Sequence, residues 1–445
     1  MKLWQKQEHD IDHAIERFTV GRDREFDLAL AKYDIQGSLA HAQMLASIGL
    51  LEPGELEQLS SLLRELYRRV EQGDFQIEQG VEDIHSQVEL LLTRQLGDIG
   101  KKIHAGRSRN DQVLVDLRLF FRDEIRSLAD GARALFDLLL RLADQHKEVL
   151  MPGYTHLQVA MPSSFGLWFS AYAESLIDDL RQLEATYRIT NQNPLGSAAG
   201  YGSSFPLDRR LTTELLGFDE LAYNVVHAQL GRGKTELFLS FALAAFGATL
   251  GKLSMDIVLF LNQNFSFISF PDQLTTGSSI MPHKKNPDVF ELTRAKCNQL
   301  QALPQQVALL TTNLPSGYHR DFQLLKESIF PGIQTLKDCL EMLHYALQHI
   351  EVNTDILEDE RYRYLFSVEE VNKEVLKGTP FRDAYRKIGE RIASGEFEPG
   401  LRVAHTHEGS IGNLCLPDIR GKFDKVWRQF DFEKAFAKIE ELVRR

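Results

Sequence analysis

The segment GSSIMPHKKNPDVFE (residues 277–291) contains the residue types of a catalytic anion site. It holds two adjacent serines, two adjacent lysines and an Asn-Pro pair at the predicted start of a helix. A helix start offers free N–H groups and a partial positive charge, which suit a carboxylate. Gly277 lets the backbone fold closely over a ligand. Two interpretations remain open: a mobile flap that carries a reactive serine, or a solvated basic loop before a helix.

A second group of polar residues is KKIHAGRSRNDQ (residues 101–112), where two arginines flank a serine and an asparagine and an aspartate follow. The guanidinium fork of arginine binds carboxylates in a bidentate manner. The same letters also fit a helix start with a solvated run of charges. Just upstream, EDIH (residues 82–85) adds two carboxylates and a histidine.

Two further segments combine polar groups of different kinds. GYTHLQ (residues 153–158) places a histidine between a threonine and a glutamine, in a segment (residues 150–162) that is predicted to be a loop between two long helices. NLPSGYHRDFQLLKE (residues 313–327) contains Tyr318, Arg320, Gln323 and Lys326. The spacing of three between the last two residues predicts that they share a helix face.

Some chemistry is not predicted. GRGKT (residues 231–235) resembles half of a phosphate-binding loop, but the first glycine of that motif would fall at Ala228. The sequence contains no metal-binding pattern of closely spaced histidines and cysteines. A reaction without metal or organic cofactor is therefore predicted.

The elements that must position these segments are helices. Apolar residues recur at spacings of three and four, for example from Leu56 to Val70, and alternation typical of strands is hard to find. Residues 237–261 are apolar on several sides, which predicts burial in the centre of a bundle or at a subunit interface. Lys252 and Asp256 interrupt this stretch, so it is not predicted to span a membrane.

Composition and length indicate which kinds of protein this chain is not, and how many domains it forms. The net charge of −12 argues against a nucleic-acid-binding protein, which needs a basic face. The three cysteines are far apart and are predicted to be reduced, and the first residues lack the apolar stretch of a signal peptide, so a cytoplasmic location is expected. The all-α chain is predicted to form an N-terminal helical domain (1–105), a central bundle of long helices (106–352) and a small C-terminal helical domain (353–445).

Together these segments resemble one known family. GSSIMPHKKNP is similar to the signature of the fumarase/aspartase superfamily, whose members form or consume fumarate. HAGRSRNDQV looks like the HTGRSRNDQV segment of the argininosuccinate lyases within it. THLQ, NPLGS and YHRDFQLLKE follow in the order of that family, and the resemblance covers residues 18 to about 330.

The resemblance implies a three-domain, all-helical subunit in a homotetramer with a core of long helices, and no cofactor. Each active site of that family draws on three subunits. The implied reaction is β-elimination of argininosuccinate to arginine and fumarate, with no nucleic acid or membrane as partner.

Residue by residue, the resemblance assigns roles to thirteen positions. The catalytic positions are His156, Ser278, Lys284 and Glu291. The substrate-binding positions are Ser108, Arg109, Asn110, Thr155, Asn286, Tyr318, Arg320, Gln323 and Lys326.

The chemistry agrees with this set of residues. Removing a proton next to a carboxylate gives an aci-carboxylate, which needs fixed positive groups such as Lys284. We expect Ser278 to be the base and His156, paired with Glu291, to act on the acid side. The reverse assignment of Ser278 and His156 remains open.

Departures from the family pattern concern specificity. Asp23 stands where the family has a substrate-contacting serine, and Arg320 stands where it has a lysine. The groups that hold the arginine end of the substrate are not assigned, and Asp83 and Asp321 are candidates. The alternatives are another fumarate-releasing lyase (adenylosuccinate lyase or aspartase) and a structural protein of the lens-crystallin type on the same scaffold.

Overall fold

The regular secondary structure of the protein is almost entirely helical, as the sequence predicts. A computed structural model describes residues 13–444. Within that range the α-helices are, in chain order, α1 (His13–Val20), α2 (Asp23–Leu28), α3 (Ala31–Ser47), α4 (Pro53–Glu71), α5 (Ile84–Leu96), α6 (Asp98–Lys101), α7 (Arg109–Gln145), α8 (Phe165–Thr190), α9 (Arg209–Leu215), α10 (Val225–Leu230), α11 (Lys234–Leu261), α12 (Asp288–Leu300), α13 (Leu303–Thr311), α14 (Leu325–Leu347), α15 (Ser367–Leu376), α16 (Phe381–Ala393), α17 (Leu416–Trp427) and α18 (Phe432–Arg444).

Short strands supplement the helices. β1 (Leu150–Thr155) and β2 (Gln158–Ser164) form an antiparallel hairpin between α7 and α8, so the prediction of a loop for residues 150–162 is wrong. Hairpin pairing satisfies the backbone groups of this segment as it leaves the bundle. The other pairs have two residues a strand: β3 (Gln192–Asn193) with β4 (Glu220–Leu221), and β5 (Ile268–Ser269) with β6 (Glu351–Val352).

The long helices form the centre of the structure. α7 packs against α8 and α14, while α11 packs against α8, α12 and α14. Small residues allow close approach: a Cβ added to Gly247 of α11 would lie 2.8 Å from the backbone oxygen of Cys297 in α12. The main apolar core extends from Leu30 to Leu442, so it joins the N-terminal helices, the long bundle and α17 and α18.

α11 is long and apolar enough to cross a membrane by length and composition alone. Its contacts are instead those of a core helix. Asp256 of α11 accepts hydrogen bonds from Trp168 Nε1 at 3.1 Å and from the Tyr172 hydroxyl at 2.6 Å, both on α8. The polar group that interrupts the apolar stretch is thus satisfied by a neighbouring helix, as buried polar groups are.

The C-terminal region contains a second, smaller core. Val371 of α15 packs with Ala384 and Ile388 of α16 and with Phe397. After this unit the chain returns to the main bundle, where α17 packs on α8 and α18 on α3. The division of the chain into three domains at residues 105/106 and 352/353 stays a prediction.

His41 of α3 makes the fold sensitive to acid. Its ring is fully buried, and its Nε2 atom lies 2.9 Å from the carbonyl oxygen of Ala105. Burial, with the charge of Arg107, lowers the pKa of His41 to about 3. Because this folded-state pKa lies below the unfolded value of about 6.5, the neutral form stabilises the fold above pH 6.5, and that stability is lost as the pH falls.

We therefore expect His41→Gln to lessen the acid sensitivity of the protein. The free energy of unfolding of the wild type should fall relative to the variant by about 1.4 kcal/mol for each pH unit below about 6. Urea unfolding between pH 5 and 8 measures this difference. Replacing His227 of α10 by glutamine is the matched control, because it makes the same substitution at an exposed position. A wild-type curve parallel to that of His41→Gln would contradict the prediction.

Candidate active site

A polar cavity of about 180 Å³ lies where the N-terminal helices meet the start of α7 and the segment before α14. Charged residues of both signs dominate its walls. It is lined by Val20, Asp23, Asp27, Glu82, Asp83, His85, Arg109, Asn110, Val113, Arg232, Tyr318, Arg320, Gln323 and Lys326.

Six of the nine predicted substrate-binding residues meet in this cavity. Arg109 and Asn110 come from the first turn of α7, and Tyr318, Arg320, Gln323 and Lys326 come from a segment about 200 residues later. A 3₁₀ turn over Arg320–Leu324 leads directly into α14 and turns this second group toward the cavity. The fold therefore brings together two clusters that the sequence identified separately.

The first turn of α7 is fixed by its cap. Ser108 is the N-cap residue: its Oγ accepts from the N–H of Asn110 at 3.3 Å, and its own N–H donates to Asp111 Oδ1 at 2.8 Å. Ser108 caps the helix and does not line the cavity. The other oxygen of Asp111 accepts from the N–H groups of Gly196 at 2.9 Å and Ala198 at 2.8 Å. Asp111 thus ties the start of α7 to the loop before α9.

We expect Asp111→Asn to destabilise the protein by about 2–3 kcal/mol, because an amide nitrogen would face an N–H group in a fully buried place. Thermal or urea unfolding measures the loss. Asp130→Asn is the control on the exposed face of the same helix, where the change should stay below about 0.5 kcal/mol. Equal stability of the two variants would contradict this account of the α7 start.

Acidic residues at the start of α5 hold two cavity arginines. Arg109 lies 3.2 Å from carboxylate oxygens of both Glu82 and Asp83, and it donates to Ser86 Oγ at 2.8 Å. Arg320 lies 3.3 Å from the other oxygen of Glu82. The two guanidinium groups therefore contact different oxygens of one carboxylate.

Lys326 lies between two aspartates. Its Nζ is 2.5 Å from Asp23 Oδ1 and 2.5 Å from Asp27 Oδ1, and its side chain is 4% exposed. Burial and the adjacent Asp27 raise the pKa of Asp23 to about 6, against the lowering effect of Lys326. The residue that departs from the family pattern is thus in the cavity, in contact with a predicted substrate-binding lysine.

A buried cluster lies behind the cavity wall. His85 Nδ1 is 2.7 Å from Asp34 Oδ1 and 3.6 Å from Asp116 Oδ2. Ligand atoms of these three residues lie within 4.8 Å of one another, a spacing that also suits a metal ion. The short Nδ1–Oδ1 distance is that of a charge-assisted hydrogen bond between His85 and Asp34. Among the residues that the structure describes, neither carboxylate oxygen of Asp116 has a hydrogen-bond partner.

His156 occupies an exposed turn at the end of the β1–β2 hairpin. Thr155 pairs with Gln158, and the two residues between them, His156 and Leu157, have φ angles of 54° and 57°. Positive φ at both positions is the conformation of a type I′ hairpin turn, which asparagine and glycine adopt more easily. Non-glycine residues held in this conformation cost about 1–2 kcal/mol each, and such strain clusters at functional sites.

Ser278, Lys284 and Asn286 lie in a loop that is closed at its base. Thr276 and Asn286 exchange two backbone hydrogen bonds, of 3.2 and 2.8 Å. Ser278 Oγ accepts from the N–H of Met281 at 3.1 Å, and Ile280 at the tip is 82% exposed. α12 begins at Asp288 with Pro287 as N-cap, one residue later than the Asn-Pro pattern predicts, and Glu291 lies in its first turn.

The predicted site residues of one chain therefore form three separate groups. The hairpin turn and the closed loop contribute nothing to the cavity wall, and within residues 13–444 no hydrogen bond or ion pair joins His156 to Glu291. Sequence reasoning assigned no role to Asp27, His85 and Arg232, which do line the cavity. The EDIH segment contains His85 and is the sequence feature that could have identified it. No motif identifies Arg232, because GRGKT forms the junction between α10 and α11.

Comparisons with known proteins define the class first. A family model described as lyase matches residues 7–302. The crystal structure of an EDDS lyase in complex with formate shares the fold, with a TM-score of 0.76 at 20% identity over 98% of this chain and 95% of that chain. The fold and the family model define a lyase of the fumarase/aspartase superfamily.

Named relatives identify the family within this superfamily to which the chain belongs. The chain is 61% identical to the argininosuccinate lyase of Parabacteroides distasonis, over 99% of both chains. It is 60% identical to that of Bacteroides fragilis, over 97% of this chain and 96% of the relative. The chain belongs to the argininosuccinate lyase family.

Proposed function

We propose that this protein cleaves argininosuccinate by β-elimination into arginine and fumarate. The cavity carries this proposal, because it gathers Arg109, Asn110, Tyr318, Arg320, Gln323 and Lys326 around charged groups of both signs. The substrate carries carboxylates, an ammonium and a guanidinium, and a site of mixed charge complements such a molecule. The family to which the chain belongs supports the same substrate.

The elimination needs a base, an acid and an anion stabiliser. A base takes the proton from the carbon next to a carboxylate, the C–N bond breaks as the C=C bond forms, and the departing guanidino nitrogen receives a proton. We assign Ser278 as the base and His156, with Glu291, to the acid side, and the reverse assignment gives the same balance. Lys284 and Asn286 stabilise the aci-carboxylate. The loop of Ser278 already has N–H groups directed at the serine oxygen.

The cavity holds the remainder of the substrate. Arg109, Arg320 and Lys326 are suited to carboxylates, and Asn110, Tyr318 and Gln323 supply neutral hydrogen-bonding groups. Asp83 and Asp23 are candidates for the ammonium or guanidinium of the arginine end. Thr155 on the hairpin and Ser108, which caps α7, complete the proposed set.

The separation of the three groups supports a shared site. We propose a homotetramer in which the cavity of one subunit is completed by the hairpin turn of a second and the Ser278 loop of a third. The exposed Leu157 and Ile280 beside the catalytic positions are 73% and 82% exposed in the single chain, as expected of tips that enter a neighbour. A cytoplasmic location belongs to the same proposal.

Fumarate release tests the function directly. Purified protein incubated with argininosuccinate should produce fumarate, followed by its ultraviolet absorbance, and an equal amount of arginine. Adenylosuccinate and aspartate serve as comparison substrates. Absence of fumarate from argininosuccinate would overturn the proposal. Fumarate from adenylosuccinate alone would show that the protein acts as an adenylosuccinate lyase instead.

A further inference from the structure

The lysine and arginine side chains of the cavity already have carboxylate partners. Arg109 and Arg320 are paired with Glu82, and Lys326 is paired with Asp23 and Asp27. Arg232 lies 3.4 Å from Glu236. A substrate carboxylate that binds any of these four cations competes with an existing ion pair, which lowers the net gain.

His85 differs from these cations in having one ring nitrogen bonded and the other left over. Nδ1 donates inward to Asp34 at 2.7 Å, in a hydrogen bond between two buried side chains. The two nitrogens lie on different edges of the ring, so the bond to Asp34 fixes the direction of Nε2. Within residues 13–444, Nε2 has no hydrogen-bond partner, and the 7% of the side chain that stays exposed borders the cavity.

The surroundings of His85 favour the protonated ring. It faces Asp34 from α3, Asp116 from α7 and Asp83 at the cap of its own helix. The charge of Asp27 on α2 also raises the pKa of Asp116, and the charge of Arg107 lowers it. Burial lowers the pKa of His85, but the hydrogen bond that His85 donates to Asp34 and the charges of the three carboxylates outweigh burial and raise the pKa to about 9.

We propose that His85 is a substrate-binding residue whose Nε2–H donates a charge-assisted hydrogen bond to a carboxylate of the substrate in the cavity. Asp34 and Asp116 are positioning residues, because they hold the ring and its charge without facing the ligand. This inference rests on the proposed function. The protonated His85 can donate from Nε2 to the substrate while its Nδ1 keeps the contact with Asp34.

Two substitutions separate this role from a purely structural one. Asparagine at position 85 places its amide near the Nδ1 position, so His85→Asn keeps a bond to Asp34 but loses the cavity donor. Glutamine reaches the Nε2 position, so His85→Gln keeps a neutral cavity donor and loses the inner bond. We expect KM for argininosuccinate to rise roughly 10- to 100-fold in His85→Asn, as for a lost charge-assisted hydrogen bond, and less in His85→Gln.

A structural role predicts the opposite order. If His85→Asn had the KM of the wild type while His85→Gln lost activity and melted at lower temperature, the inference would be overturned. Inhibition by the two products locates the contact. His85→Asn should weaken inhibition by fumarate if His85 binds a carboxylate of the succinate end, and inhibition by arginine if it binds the carboxylate of the arginine end. Unchanged inhibition by both would also overturn it.

The pH dependence of substrate affinity, measured in the wild type and in Asp34→Asn, is a second test that does not require His85→Asn to fold. In the wild type, substrate affinity should fall as the pH rises through about 9, where His85 loses its proton. Asp34→Asn removes the main supporting charge and should move this fall to lower pH. An unmoved profile in folded Asp34→Asn would refute the assignment. Wild-type protein that releases no fumarate would instead refute the proposed function, so the two failures are distinguishable.

Discussion

Ser278→Ala is expected to lower kcat for argininosuccinate by about 10²- to 10⁴-fold, the range typical of a lost acid–base group. The physical reason is the position of its oxygen: Ser278 Oγ accepts from the N–H groups of Ile280 and Met281, which stabilise a negative charge on it. Because these two hydrogen bonds lie within an exposed loop, their loss should leave the melting temperature nearly unchanged. Steady-state fumarate release measures kcat.

The adjacent serine is a matched control for this experiment. Ser279 is exposed in the same loop, and Ser279→Ala changes the same atoms one position along the chain. It should keep kcat within a few-fold of the wild type. If Ser278→Ala kept most of its activity, the flap interpretation of residues 277–291 would be wrong. Equal losses in both variants would indicate that the loop is sensitive as a whole and that neither hydroxyl is the base.

A mixture of two inactive variants is expected to regain activity. His156→Asn and Ser278→Ala should each be nearly inactive alone, because each removes one proposed catalytic group from every site. The hairpin turn and the Ser278 loop lie in separate places on one chain, away from the cavity. If a site takes them from two different subunits, equal mixing leaves about one quarter of the sites with both groups intact.

The measurement is fumarate release after the two variants are unfolded together and refolded as mixed oligomers. About one quarter of the wild-type activity per site is expected, whereas separately refolded samples combined afterwards should stay inactive. Ser278→Ala refolded with Ser279→Ala is the control for refolding yield, and half of its sites retain Ser278. No recovery from the first mixture would contradict a site shared between subunits, since both groups would then come from one chain.

Much of the site was visible in the sequence because short motifs carry local geometry. The Ser-Arg-Asn-Asp run predicts a helix start, and Ser108 and Asp111 do form its capping box. The helical character of residues 237–261 followed from apolar residues on several sides, and α11 is indeed packed by neighbours. The sequence does not predict the hairpin at residues 150–164, because its burial pattern does not alternate and its turn holds His-Leu in place of Asn-Gly.

The family, the helical class and the residue types of the chemistry can be predicted from the amino-acid sequence, since they depend on local periodicity and on motifs within a few residues. Which of these groups meet depends on the packing of the folded chain. It placed Tyr318 and Arg109 in one cavity, inserted Lys326 between Asp23 and Asp27, and turned His85 toward the same space. The physical reason is that these contacts join residues up to about 300 positions apart, through the packing of α2, α5, α7 and α14, and no local pattern records such packing.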